Sequence, residues 1–414
     1  MFRRAICRSV YRDNIFLKPT DFFRMSTTSN AWKPRYFDIG VNFSDSSFQG
    51  RYHDSTIAND PTVISAVIDR AHFFNVEKIL ITSSTIKESE DHFGLCEENH
   101  RNFSSTAGVH PCTVAEEFYV KDENGKYTET LRDDVDEKLQ KLKDIVETGH
   151  ELGYIKAFGE IGLDYDRLHY STVDQQKTMF RKQLEVIADL KGLKIPLFLH
   201  MRAACDDFVE ILQPFIEDGS IEKGNGVVHS FTGTEEELSK LLKLGFYISL
   251  NGCSLKTEEN LQVASLIPKE KLLIETDAPW CEVRKTHAGY KYITPYPNKF
   301  YPEKSMKIIT ELTPQPKKDP IKMHELLPYP IVNKKNSDKH FTFVKELISQ
   351  EHNLSNIDFR VGKFAPPLMK SRNEPVFVGT IAEILCGLHG ITDDKEIEDF
   401  VDLVYENSCK LFKV

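Results

Sequence analysis

None of the eight cysteines in this chain of 414 residues forms a C-x-x-C pair, so neither a zinc finger nor a redox dithiol is encoded. Thiols scattered this widely read as buried, reduced residues of an intracellular protein. No apolar run approaches the ~18 residues that a membrane helix needs, so no membrane partner is expected. An excess of cations is missing too. Lys and Arg number 53 against 63 Asp and Glu, and a formal charge of −10 excludes a chain that coats nucleic acid by bulk charge. Internal repeats and low-complexity tracts are absent. With 40% hydrophobic and 28% charged residues, the composition excludes a disordered chain, a collagen-like fibre and a disulfide-rich miniprotein.

The charge is unevenly spread. Residues 1–33 hold seven basic and two acidic residues, a surplus of +5. That composition fits either an organellar presequence or a flexible extension, with Met25 as an alternative start. The cytoplasm is the expected compartment, and the mitochondrion or nucleus the alternative. Residues 285–370 hold 15 basic and eight acidic residues, a surplus of +7, and ten of the 19 prolines. Removing both segments leaves −22 on the remainder.

From Tyr36 onward, apolar runs of strand length alternate with helix-period segments. Strands are expected at 36–43, 78–83, 102–109, 155–161, 196–200, 226–231, 246–250 and 271–276. Amphipathic helices are expected at 61–74, 175–190 and 235–244, and two more close the chain at 380–389 and 394–413. Strands alternating with helices imply parallel pairing. Eight of them are the count for an α/β protein built as a (β/α)8 TIM barrel, whose chemistry sits at the strands' C-terminal ends. A doubly wound sheet would carry a Gly-rich turn after its first strand, but the turn here reads Phe43-Ser44-Asp45-Ser46-Ser47. The barrel domain is therefore placed at 34–284 and 371–414. A polar insertion spans 116–136, and a large Pro-rich basic insertion at 285–370 leaves the eighth strand at the barrel mouth.

Four strand ends deliver metal-ligand side chains: Glu160 on the fourth, His200 on the fifth, His229 on the sixth and Asp277 on the eighth. A lone histidine after an apolar run is more often a hydrogen-bonded core residue. Four such residues, each at the catalytic end of a different barrel strand, make metal-assisted hydrolysis the default. Two imidazoles and two carboxylates suit Zn²⁺, Mn²⁺ or Mg²⁺.

The segments Ser105-Thr106-Ala107-Gly108-Val109-His110-Pro111, Gly159-Glu160-Ile161-Gly162-Leu163-Asp164, His200-Met201-Arg202, His229-Ser230-Phe231-Thr232-Gly233 and Glu275-Thr276-Asp277-Ala278-Pro279 resemble those of TatD-type metal-dependent deoxyribonucleases of the amidohydrolase-like barrel superfamily. The resemblance runs from Tyr36 to about Cys281 and resumes at Ser371-Arg372-Asn373-Glu374-Pro375. It implies Glu160, His200, His229 and Asp277 as metal ligands, with Glu160 and Asp277 in catalytic roles. It implies hydrolysis of DNA phosphodiesters, often 3′–5′ on single strands, and RNA stays open as an alternative substrate. Many superfamily members end the first strand in His-x-His, whereas this chain has Gly40 and Asn42 there, as the TatD branch does. A weaker, oxygen-rich site leans toward Mg²⁺. The competing functions are a barrel hydrolase of amides or small esters, and a non-catalytic nucleic-acid-binding barrel.

Other residues have plainer alternatives. His110 either contacts a phosphate or caps a loop. Arg202 either clamps a phosphate or pairs with Asp206. Glu275 either orients a ligand or is structural, and Arg372 and Glu374 either serve the site or fix the chain's return to the barrel. At the start of the insertion, cations and aromatics interleave: Lys285, Tyr290, Lys291, Tyr292, Tyr296, Lys299, Tyr301 and Lys304. That mixture holds single-stranded nucleic acid, so Lys291 and Tyr292 are candidate substrate contacts on a DNA-guiding rim. The bland reading is a packed lid with solvated lysines.

Overall fold

Ten strands lie in the body of the molecule: β1 (Tyr36–Val41), β2 (Val76–Ile81), β3 (Phe103–Ala107), β4 (Tyr119–Lys121), β5 (Tyr127–Leu131), β6 (Ile155–Asp164), β7 (Leu197–Arg202), β8 (Gly226–His229), β9 (Tyr247–Leu250) and β10 (Leu272–Ile274). They come from a computed structural model that describes residues 32–49, 63–304, 322–333 and 368–414. The basic segment 1–31 and most of the span 305–367 lie outside the described residues.

Eight of the strands form one parallel sheet in the order β1-β2-β3-β6-β7-β8-β9-β10. A parallel bridge from Val41 to Ala278, with Asn42 N donating to Ala278 O at 2.8 Å, joins its two edges and rolls the sheet into a barrel. β1, β3, β8, β9 and β10 are buried along their whole length. Helices cover their outer face and packed side chains fill the inside, which is why they read as near-continuous apolar runs. The crossover helices begin where the sequence supplies caps. Thr172 with Gln175 and Thr234 with Glu237 form reciprocal capping boxes ahead of Val173–Asp189 and Glu235–Lys243.

The last helix, Asp394–Phe412, closes the end of the barrel where the strands begin. Phe412 packs edge-on to Phe37 at 5.7 Å and joins Phe198, Val227 and Leu273 in one buried cluster. Sealing that end leaves the C-terminal strand ends as the mouth among the described residues. The polar insertion folds as the antiparallel hairpin β4–β5, turned at Asp122–Gly125. Within the large insertion, Lys322–Met323 and Pro330–Val332 pair with each other, and Pro330–Val332 also pairs with Leu368–Met369 in a small sheet. Among the described residues, no helix is long and apolar enough to cross a membrane.

The return motif is a docking device. Glu374 accepts from Arg70 Nε at 2.8 Å and from the Arg372 guanidinium at 2.7 Å, and all three are buried. Asn373 Nδ2 reaches Thr276 O at 2.9 Å. The chain's return is thereby tied to the strand end that carries Asp277.

Candidate active site

Glu160 sits low on the long strand β6, and three imidazoles converge on its Oε1. His229 Nε2 lies at 2.6 Å, His200 Nδ1 at 2.8 Å and His110 Nε2 at 3.2 Å. The ligand atoms of His110, Glu160 and His200 all lie within 4.8 Å of one another, and the three residues are buried. Asp164, four residues beyond Glu160, accepts from or donates to His200 Nε2 at 3.0 Å.

The environment divides the charges. Burial opposes ionisation of Glu160, yet His229 and His110 hold its carboxyl well below the usual range. Burial likewise opposes charge on His229, yet Glu160 and Glu275 hold its imidazole well above the usual value. Asp277 behaves differently. Burial, reinforced by Glu275 and Glu160, pushes it up to about 6. An imidazole must shed its proton to bind a cation, so loading this cluster with metal releases protons.

Asp277 stands just past β10 with φ of 52°, a left-handed turn that swings its carboxylate back over the mouth. Asn42 Nδ2 donates to Asp277 Oδ1 at 2.9 Å, and the Cys281 thiol donates to Oδ2 at 3.3 Å. Asn42 is itself fixed by the Thr82 hydroxyl, which donates to its Oδ1 at 2.8 Å. Glu275 is fully buried and accepts from Ser230 N at 2.7 Å and Asn251 Nδ2 at 3.1 Å. Its Oε1 lies 3.4 Å from His229 Nδ1, an ionic contact too poorly aligned for a hydrogen bond. Glu275 thus orients an imidazole that Glu160 touches from the other side.

A divalent metal fits this donor set. Three buried imidazole nitrogens and the carboxylates of Glu160, Asp164 and Asp277 offer mixed nitrogen and oxygen ligands, and His229 Nδ1 and Glu275 Oε2 are buried without hydrogen-bond partners. His110 belongs to this cluster itself rather than standing apart as a phosphate contact. Its Nδ1 accepts from Cys112 N at 3.0 Å, which aims Nε2 at Glu160. Asp164 was not among the residues singled out from sequence. The period-two count along β6 places it on the face of Glu160 and would have found it.

Arg202 does not pair with Asp206, because Lys240 takes that carboxylate at 2.8 Å. The cations expected along a rim have partners within the protein. Lys291 is held by Glu258 at 3.0 Å, Lys299 by Glu398 at 2.8 Å and Lys285 by Glu325 at 2.7 Å. Tyr292 packs against Gly387 and beneath the Lys291 ammonium, and Tyr301 is buried. A cation already matched to a carboxylate has little attraction left for phosphate. The start of the insertion is therefore a packed strap, and Lys291 and Tyr292 are engaged within the protein.

Comparison with known proteins follows the same lines. The family model for TatD related DNases matches residues 37–325. The chain is 42% identical over 259 residues to Deoxyribonuclease Tat-D of Schizosaccharomyces pombe, covering 63% of this chain and 77% of that one. It is 34% identical over 254 residues to the 3′-5′ ssDNA/RNA exonuclease TatD of a Pantoea species, covering 61% and 82%. The crystal structure of an uncharacterized amidohydrolase from Saccharomyces cerevisiae superposes with a TM-score of 0.67 at 30% identity, covering 91% of this chain and 99% of that one.

Proposed function

The chain belongs to the TatD related DNase family, and from that premise we propose that it is a divalent-metal-dependent deoxyribonuclease working 3′–5′ on single strands, with RNA as a second substrate. The observation that carries the reading is the convergence of His110, His200 and His229 on one oxygen of Glu160, with Asp277 facing them.

Glu160, His200, His229 and Asp277 would hold the ion, with His110 and Asp164 completing the cluster. Mg²⁺ is the ion proposed, on the loss of the first-strand histidine pair, and the third imidazole makes Mn²⁺ and Zn²⁺ the comparison ions. When bound, the cation supplies positive charge to a phosphate oxygen and makes water acidic enough to attack. Asp277 would accept the attacking water's proton as general base. Asn42 keeps its carboxylate aimed, and Arg202, at the end of β7, steadies the phosphate. The free thiols of all seven described cysteines support a reducing, intracellular compartment, with the cytoplasm favoured.

The test is hydrolysis of end-labelled single-stranded DNA and RNA with Mg²⁺, Mn²⁺, Zn²⁺ or EDTA, comparing the native chain with Glu160→Ala. The native chain should release mononucleotides from the 3′ end. EDTA or Glu160→Ala should lower the rate by about 100-fold or more, the scale on which loss of a metal ligand acts. A native chain inert on both polymers with all three ions would end the proposal.

A further inference from the structure

Among the described cations that have no carboxylate partner, three lie together at the barrel mouth. Arg202 ends β7, Lys256 lies in the loop after β9, and Arg284 lies in the loop after β10. None of the three has a hydrogen-bonded or ion-paired side-chain partner among the described residues, in contrast to Lys285, Lys291 and Lys299. The three are neighbours. The positive charges of Arg202 and Lys256 both act on Cys253, and those of Lys256 and Arg284 both act on His287. The two loops are also stitched together, because Ala288 N donates to Lys256 O at 2.9 Å and Gly289 N to Leu255 O at 3.1 Å.

The arc has two ends. At one, Arg202 pairs in register with Asp164 across β6 and β7, beside the cluster around His200. At the other, Arg284 lines a cavity of about 530 Å3 between the barrel and the small sheet of the insertion. That cavity is walled by Tyr290, His324, Phe377 and Lys370 together with Glu282 and Glu325, and Glu325 is engaged by Lys285 and the Tyr290 hydroxyl, so rings and cations meet in one space large enough for a nucleobase.

We propose that single-stranded nucleic acid leaves the metal cluster along Arg202, Lys256 and Arg284, and that a base of the strand seats in the cavity beside Tyr290. Unmatched cations after β7, β9 and β10 suit phosphates of one strand, and a ring-lined pocket suits a base whatever its identity. The inference rests on the nuclease reading and extends it by naming the path. The insertion contributes the wall of the base pocket, not the free lysines of a rim.

The test is binding of a fluorescent eight-nucleotide single strand to the full chain in EDTA, where no cleavage occurs, over a range of salt. Replacing Lys256 and Arg284 together by Gln should weaken binding by about 10-fold and reduce the slope of log affinity against log salt by about 1.4, two phosphates at ~0.7 each for single strands. Tyr290→Ala should weaken the octamer by at least about 5-fold with the slope kept, the scale of one lost base stack. Lys291→Gln should change neither quantity, since that charge is already met by Glu258. The path is overturned if the double variant keeps native affinity and slope, if Lys291→Gln matches its loss, or if a poly-glutamate peptide competes as well as the strand. Cleavage by the native chain with metal is scored separately, so failed hydrolysis with intact binding that depends on Lys256 and Arg284 counts against the nuclease reading alone.

Discussion

Asn42 donates its side-chain amide to Asp277 Oδ1 at 2.9 Å across the seam where the first and last barrel strands meet. Asn42 thereby aims the carboxylate that the proposed metal site would use. Asn42→Ala removes the donor and frees Asp277 to rotate about its side-chain bonds. Positioning partners of metal ligands are worth ~10- to 100-fold in metal affinity or rate. Asn42→Ala should fall in that range in nuclease rate while keeping its thermal midpoint, and a rate within twofold of native would remove Asn42 from the positioning role.

Gly40 is glycine because Glu275 occupies its side-chain space. A Cβ built on Gly40 would meet Glu275 Oε2 at 2.9 Å. The carboxylate cannot retreat freely, since Ser230 N and Asn251 Nδ2 hold its other oxygen. Gly40→Ala therefore overpacks the barrel interior at a cost of about 1–3 kcal/mol. Urea unfolding should show that loss in full at pH 7, and a native midpoint would mean that the interior yields more easily than its hydrogen bonds imply.

The barrel was legible because both faces of its strands are buried, so each strand stood out as an apolar run of fixed length. Boundaries were less so. The eighth strand was expected to reach Thr276 but ends at Ile274, because Thr276 N and its hydroxyl turn to Asp38 and Asp277 adopts positive φ. Glu160, His200, His229 and Asp277 were visible one by one as polar residues closing apolar runs, and the fold brings them together. Asp164 lies in the same motif, four residues past Glu160 on the same strand face, so it reads as strand rather than as a ligand. Nor can sequence show that Lys291 meets Glu258 or that Lys299 meets Glu398, since partners 33 and 99 residues apart depend on the packing of the strap. Interleaved cations and rings therefore looked like a nucleic-acid rim, when their partners lay within the chain.

Glu374 is fully buried between Arg70 and Arg372, and burial, which disfavours its charge, is outweighed by the two guanidinium groups that hold its carboxyl below the usual range. Glu374→Gln keeps the shape and removes the negative charge that faces two buried guanidinium groups. Breaking a buried pair on one side costs about 3–5 kcal/mol. Chemical denaturation should report a loss of that order. A loss under about 1 kcal/mol would show that water reaches the guanidinium groups.

His92 links two serines inside the wall of the barrel, with Nδ1 at 2.9 Å from Ser83 Oγ and Nε2 at 2.6 Å from Ser44 Oγ. Burial pushes its imidazole down to about 4 from an ordinary 6.5. Between those values the unfolded chain binds a proton that the folded chain refuses, so stability falls as pH drops through the window. A shift of that size corresponds to about 3 kcal/mol, fully present above pH 6.5 and gone below about 4. His92→Gln has no proton to refuse. Urea unfolding at pH 7, 5 and 4 should show the native chain losing stability faster than this variant, with the gap closing steadily toward pH 4. Parallel losses in the two proteins would mean that His92 is protonated in the fold and that the serines accept from it.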